Sequence, residues 1–254
     1  MYDHKRSFKA LITHVLVRCG VIDVLYILRF LRGFDVSHLR KRNMRDIFSH
    51  IYAKGIWVGQ NGSGSSLSGI GSTNVATAGL VVQLSVFLKE VGCRQLVDIG
   101  CGDFNWMRNV EGNFDYVGID VVPRVIDMNN AEFGNERRRF ICMDATQTAI
   151  RPGDVAVCRE VLFHLSFVDG LQLLRNIKTA GFKYVLLTSD NNVWFNSDIR
   201  NGDYRPINLS KSPFSLPQPM RELNDSSVTT DRNVGRVLAV WQDTDLPADL
   251  RLEQ

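Results

Sequence analysis

A chain of 254 residues with 44% hydrophobic and 22% charged residues suits a globular protein with one large core, and it excludes a disordered polymer. Five cysteines (Cys19, Cys93, Cys101, Cys142, Cys158) include no Cys-x-x-Cys pair, so no disulfide framework is implied and a reducing, cytoplasmic setting is expected. The formal charge of +3 conceals an asymmetry: residues 1–60 hold 11 Lys/Arg against 4 Asp, and the remainder holds 19 against 23 acids, so the basic character lies at the front.

In chain order, the apolar stretch from Ala10 is interrupted by Arg18 and Asp23 and closes on no small-x-small site. It reads neither as a cleavable signal nor as a membrane-spanning helix. Phe8 to Phe34 instead predicts one or two helices broken near Gly20. His14, Arg18, Arg29 and Arg32 share one side of the helical wheel with Leu11, Ile22 and Leu25, an imperfect amphipathic pattern. Two partners fit it: the protein's own core or a subunit, or an anionic membrane surface met peripherally through residues 1–45 with help from Arg40, Lys41, Arg42 and Arg45.

A helical segment around Arg45 to Lys54 precedes Trp57-Val58-Gly59 and then Gln60 to Ser72, a run with four glycines and five serines. Composition alone makes that run a flexible linker. Its place directly before an apolar-periodic helix over Thr73 to Val91 argues for a functional loop instead.

The next stretch, Leu96 to Met107 (LVDIGCGDFNWM), organises the rest. A short apolar run ending at Asp98 and Ile99 predicts a buried parallel strand, and Gly100-Cys101-Gly102 turns it sharply so that the backbone can approach a ligand. A dinucleotide fold would place a third glycine where Asn105 stands, and a P-loop needs Gly-Lys-Ser/Thr, which is absent. The remaining acid-x-Gly-x-Gly turn resembles motif I of the class I S-adenosylmethionine (SAM) dependent methyltransferases. The string continuing through Asp103 to Met107 narrows the resemblance to a bacterial-type subgroup often associated with glycan modification.

Downstream, strands alternate with helices, which predicts a parallel sheet with helices on both faces. The strands are expected at Gln95 to Ile99, Asp115 to Ile119, Arg139 to Met143, Asp154 to Cys158 and Lys183 to Leu187, all with carboxyl ends on one edge. The second ends at Asp120, 22 residues after Asp98, a placement suited to ribose hydroxyls; the third ends at Asp144. The fourth delivers Arg159, Glu160 and, in the following turn, His164; the fifth delivers Ser189, Asp190 and Asn191. Asn191 to Asp231 is a long polar segment, and Met220 to Leu223 and Val234 to Trp241 read as closing antiparallel strands.

The resemblance implies a Rossmann-like class I methyltransferase fold of the α/β class: a mostly parallel seven-stranded sheet over residues 57–254, with a basic helical N-terminal extension at 1–56. It implies SAM as cofactor, held by Trp57, Gly71 and Ser72 of a Trp…Ser-Gly-x-Gly-Ser element, by Asp98, Gly100 and Gly102, and by Asp120, Asp144 (toward the adenine amino group) and Arg159. It also matches Gly202 to Leu209 to a Gly-Asp-Trp-Arg-Pro-x-Asn-Leu element, with Tyr204 in place of Trp, and so implies acceptor contacts from Tyr204, Arg205 and Asn208. The plain alternative for that segment is a self-satisfied loop in which Asp203 and Arg205 pair.

The expected reaction is methyl transfer from SAM to an oxygen of a sugar or glycan-linked small molecule. Such chemistry needs positioning and removal of the acceptor proton, and no metal. His164 is the leading general base, because its ordinary pKa is near neutrality, with Glu160 and Asp203 as the other candidates. Two alternatives stay open: Mg²⁺ held by Glu160, Asp190 and Asn191, and a catalytically silent SAM-binding regulatory or scaffold subunit. Nucleic acid is not an expected partner, because Arg159-Glu160-Val161-Leu162 stands where amino methyltransferases of nucleic acids carry Asp/Asn-Pro-Pro-Tyr/Phe.

Overall fold

In a computed structural model, residues 11–17, 19–58, 66–226 and 235–250 are described. Residues 1–10 and 18 of the N-terminal arm, Gly59 and 60–65 of the Gly/Ser run, and 227–234 before the last strand lie outside them.

Residues 11–17 are helical and end at a turn where Gly20 takes φ +70°. Helix α1 (Asp23–Leu31) follows, then α2 (Met44–Lys54). The boundaries of α2 are set by local chemistry: the Asn43 side chain caps Asp46 N at 2.7 Å, and Gly55 closes the helix in the left-handed region. Helix α3 (Asn74–Glu90) is capped by Thr73 and leads into the sheet.

Seven strands form one sheet: β1 (Gln95–Ile99), β2 (Asp115–Asp120), β3 (Arg138–Cys142), β4 (Val155–Cys158), β5 (Tyr184–Asp190), β6 (Arg221–Asn224) and β7 (Arg236–Gln242). Their order is β3-β2-β1-β4-β5-β7-β6, parallel from β3 to β5, with β7 antiparallel to both neighbours. The central strands are apolar on both sides because both faces are covered. Helix α3 packs Leu80, Leu84 and Phe87 on one face. Helix α5 (Phe167–Ala180) packs Leu171, Leu174 and Ile177 on the other, joined by Ile207, Leu209 and Phe214 of the segment after β5. Helix α4 (Pro123–Phe133) starts with Pro at its first turn and joins β2 to β3.

Two expected boundaries are corrected. β3 begins at Arg138 and ends at Cys142, so Asp144 stands two residues beyond the strand. β5 continues to Asp190, because β7 supplies antiparallel partners as far as Asp190↔Arg236; Ser189 and Asp190 are therefore part of the sheet and not of a turn. Among the described residues no helix is long and apolar enough to cross a membrane.

Candidate active site

The carboxyl ends of β1, β2 and β4 open onto a cleft of about 960 Å³, its open mouth included. The size and position suit a nucleoside-sized ligand at the reversal of strand order. Gly100 and Gly102 turn the chain at its floor with φ +75° and +53°. The demand for glycine comes from the protein as well as from any ligand: a Cβ on Gly100 would lie 2.2 Å from Val161 Cγ2, and one on Gly102 2.2 Å from Ser68 Oγ.

Asp120 stands beside this turn. Its carboxylate accepts from Gly102 N and Val122 N, each at 3.0 Å, and burial raises its pKa. Each oxygen keeps a lone pair for a hydroxyl. Asp144 accepts from the Thr146 backbone N and hydroxyl through Oδ1 and lines the same cleft. Asp98 is fully buried at the end of β1 and accepts from Tyr116 OH at 2.8 Å; burial pushes its carboxyl up to about 7.

Arg159, on leaving β4, sends Nε and Nη2 to the Asp225 carboxylate and Nη2 also to the Gly71 carbonyl, while its guanidinium lies 5.1 Å over the Trp106 ring. Nη1 takes no part in these bonds. Gly71 is glycine because Glu160 lies beneath it, where an added Cβ would come within 2.8 Å of Oε2. Glu160 holds a left-handed backbone (φ +62°) and pairs with Arg236. Burial works to raise its carboxyl, but the Arg159 and Arg236 guanidinium groups hold it below the ordinary value. It is a fixed anion and a poor proton acceptor.

The turn that carries His164 is held by one loop. The carbonyls of Leu162 and Leu165 accept from Arg205 Nη1 and Nη2, those of Phe163 and His164 from the backbone N of Arg205 and Gly202, and Ser197 O accepts Arg205 Nε. His164 Nδ1 meets the Asp203 carbonyl at 3.0 Å. A carbonyl only accepts, so Nδ1 carries the proton and Nε2 presents a lone pair. Burial lowers the pKa of this ring, which lines the cleft with Trp57 at 4.8 Å between centroids. Tyr204, half exposed, lies 5.5 Å from it.

Several residues are placed otherwise than the sequence implies. Arg205 is buried with its guanidinium spent on three carbonyls, and Asn208 is buried with Nδ2 on Val193 O and Oδ1 on Ser210; neither lines the cleft. Asp203 pairs with Arg29 of α1 at 2.9 Å, not with Arg205, and lies outside the cleft lining, so it is no proton acceptor there. Asn191 turns its amide to Glu222 on β6 while Glu160 pairs with Arg236, so the two do not converge. Among the described residues no group of three His, Cys, Asp or Glu could hold a metal ion.

Other residues at the cleft went unassigned in the sequence. Met44, Phe48 and Tyr52 of α2, spaced four apart on one helix face, line it. Asp103 accepts from Ser66 Oγ and Ser68 Oγ and from Leu67 N, and Tyr52 OH bonds Ser68 Oγ at 2.8 Å. The carboxylate thus fastens the end of the Gly/Ser run against the glycine turn. The four-residue spacing was the legible signal for α2; nothing in sequence pointed from Asp103 back to Ser68.

Residues 97–180 match a family model described as a methyltransferase domain. The matched segment runs from within β1 to the end of α5. Its cofactor is SAM. The donor set fits: Asp120 and Asp144 offer acceptors, Arg159 offers a donor, and Asp98 and Glu160 offer negative charge for a cationic sulfonium ligand. The domain has the Rossmann-like methyltransferase fold, and its sheet order is complete through β7.

Among solved structures, similar ones include magnesium protoporphyrin IX methyltransferase from Synechocystis PCC 6803 with bound SAH (14% identity, 59% of this chain and 72% of that one, TM-score 0.45). Another is the mitomycin 7-O-methyltransferase (17% identity, 66% and 54%, TM-score 0.49). These likenesses are likenesses of fold. The search of curated proteins finds no match.

Proposed function

We propose that the protein is a SAM-dependent O-methyltransferase whose acceptor is a sugar or glycan-linked small molecule, with His164 as general base. When bound, SAM supplies an electrophilic methyl group, so the protein's task is to orient two ligands and accept one proton. In this reading Asp120 takes the ribose hydroxyls, Asp144 the adenine amino group, Arg159 Nη1 the carboxylate, and the backbone at Gly100 and Gly102 the approach between them. Trp57 and Ser72 line the same cleft and belong to the cofactor set, and Gly71 contributes by the room it leaves for Glu160.

The observation that carries the reading is the His164 tautomer: Nδ1 is committed to the Asp203 carbonyl and Nε2 is left as the acceptor in a ring that burial keeps neutral. The acceptor hydroxyl passes its proton to Nε2, and the imidazolium that results is stabilised by the fixed Glu160 anion. Trp57 and Tyr204 flank His164 with aromatic faces suited to the C–H face of a sugar ring. We place the protein in the cytoplasm, where five unpaired thiols persist, and peripherally at the inner face of the membrane.

The test is a screen of nucleotide sugars and glycan extracts with radiolabelled SAM. Label transferred to a carbohydrate oxygen, and lost with His164→Asn, supports the reading. SAM binding without turnover on any acceptor class would leave a silent SAM-binding subunit in its place.

A further inference from the structure

Helix α1 is apolar on two opposite faces. Its inner face buries Ile22 and Tyr26, and two ion pairs fix it to the segment after β5: Arg29 with Asp203 at 2.9 Å and Asp23 with Arg200 at 2.6 Å. Its outer face sets Val24, Ile27, Leu28 and Leu31 at helical spacing i, i+3, i+4, i+7, each 47 to 73% exposed, with Phe30 and Phe34 exposed nearby. A helix apolar all round is ordinarily covered on all sides.

The surrounding charge says what covers it. Arg32 directly follows the stripe, Lys41 and Arg42 are exposed beyond it, and Arg40 lies within electrostatic reach of Asp23 at the helix's other end. No described residue forms an ion pair with any of these four. The nearby acids are already engaged: Asp23 with Arg200, and Asp35 with Ser37 and His50. An apolar stripe followed closely in the chain by cations without ion-pair partners among the described residues matches an anionic lipid surface, whose acyl region takes the side chains and whose phosphates take the guanidinium and ammonium groups.

We propose that the outer face of α1, together with Arg32 just past its end and the exposed Arg40, Lys41 and Arg42 that follow in the chain, is a docking surface for anionic membrane lipid. The proposal rests on the peripheral location read above and gives it a defined surface. Because Asp203 both pairs with Arg29 and accepts from His164, the docked helix is rigidly connected to the wall that carries the base.

The full chain is tested by co-sedimentation with phosphatidylcholine vesicles prepared with and without phosphatidylglycerol. Binding is expected only to the anionic vesicles, to weaken with salt, and to fall by roughly two orders of magnitude in Arg32→Gln/Lys41→Gln/Arg42→Gln. Leu28→Glu/Leu31→Glu should reduce it to background while SAM titration is unchanged. A readout without substitution uses Cys19, exposed in the turn before α1: anionic vesicles should slow its labelling by maleimide. Absence of binding to anionic vesicles overturns the proposal. So does a dimer in sedimentation that Leu28→Glu/Leu31→Glu dissolves while vesicles leave Cys19 unprotected, because the stripe then belongs to a second copy. No acceptor enters these measurements, so failure of methyl transfer and failure of lipid binding are separately visible.

Discussion

His164 Nδ1 donates to the backbone carbonyl of Asp203 at 3.0 Å, and the carboxylate of the same Asp203 is bound to Arg29. One residue therefore sets the tautomer of the proposed base through its main chain and anchors α1 through its side chain. The base keeps its lone pair on Nε2 because Nδ1 is committed as donor to that carbonyl, and burial outweighs the bond's upward pull on the ring's pKa.

His164→Asn should lower turnover by roughly 10² to 10⁴ while leaving SAM affinity near that of the parent protein. Because burial lowers the ring's pKa from 6.5, kcat/KM should rise with pH and level off with an inflection below that value. A pH–rate profile with its rising limb above neutrality would count against His164 as the base.

Asp120→Ala should weaken SAM binding by roughly 1.5 to 3 kcal/mol in titration calorimetry, the scale of hydrogen bonds to a charged acceptor. It should also destabilise the apo protein, because Gly102 N and Val122 N both lose their acceptor. Unchanged affinity would remove Asp120 from the site.

Asp98 links pH to both stability and binding. Its folded pKa of about 7 is above the ordinary 3.8, so the folded state holds a proton that the unfolded state releases, and this contribution to stability is lost as pH rises from about 4 through 7. Asp98→Asn should therefore raise the apo Tm at pH 8, by roughly 2 to 4 °C for each kcal/mol regained. SAM binding by the parent protein should release protons near neutrality, because a cationic ligand favours the carboxylate; calorimetry in two buffers of different ionisation enthalpy reads this directly.

Arg205→Met should destabilise the fold by roughly 3 kcal/mol or more, since three buried carbonyls lose charge-assisted donors at once. The expected fall in Tm is roughly 6 to 12 °C. A variant that melts like the parent protein and loses only acceptor binding would restore Arg205 to the surface of the acceptor site.

Asp103→Ala should free Ser66 and Ser68 from the glycine turn. Faster SAM dissociation in stopped-flow measurements, with little change in Tm, is the expected result. An unchanged dissociation rate would show that the Gly/Ser run does not retain the cofactor.

By itself the sequence determined the sheet's central strands, the glycine turn after β1, and the strand-end placement of Asp120, Arg159 and Glu160. These are local matters: an apolar run of five residues followed by an acid and two glycines has few other conformations, and parallel strands buried on both faces show their character in composition. Tertiary structure alone decided which polar groups remain free to act. Asp203, Tyr204, Arg205 and Asn208 form one polar cluster in sequence, yet the fold spends Arg205 and Asn208 on backbone carbonyls, gives Asp203 to Arg29, and leaves Tyr204 exposed beside His164. The ends of β3 and β5 were displaced because strand length depends on the partner strand, as when β7 carries the pairing of β5 to Asp190. The role of α2 and the Asp103 to Ser68 contact depended on residues 35 and more positions apart meeting at one edge. A buried polar group must find a partner somewhere, and which partner it finds is a property of the packed chain and not of its neighbours in sequence.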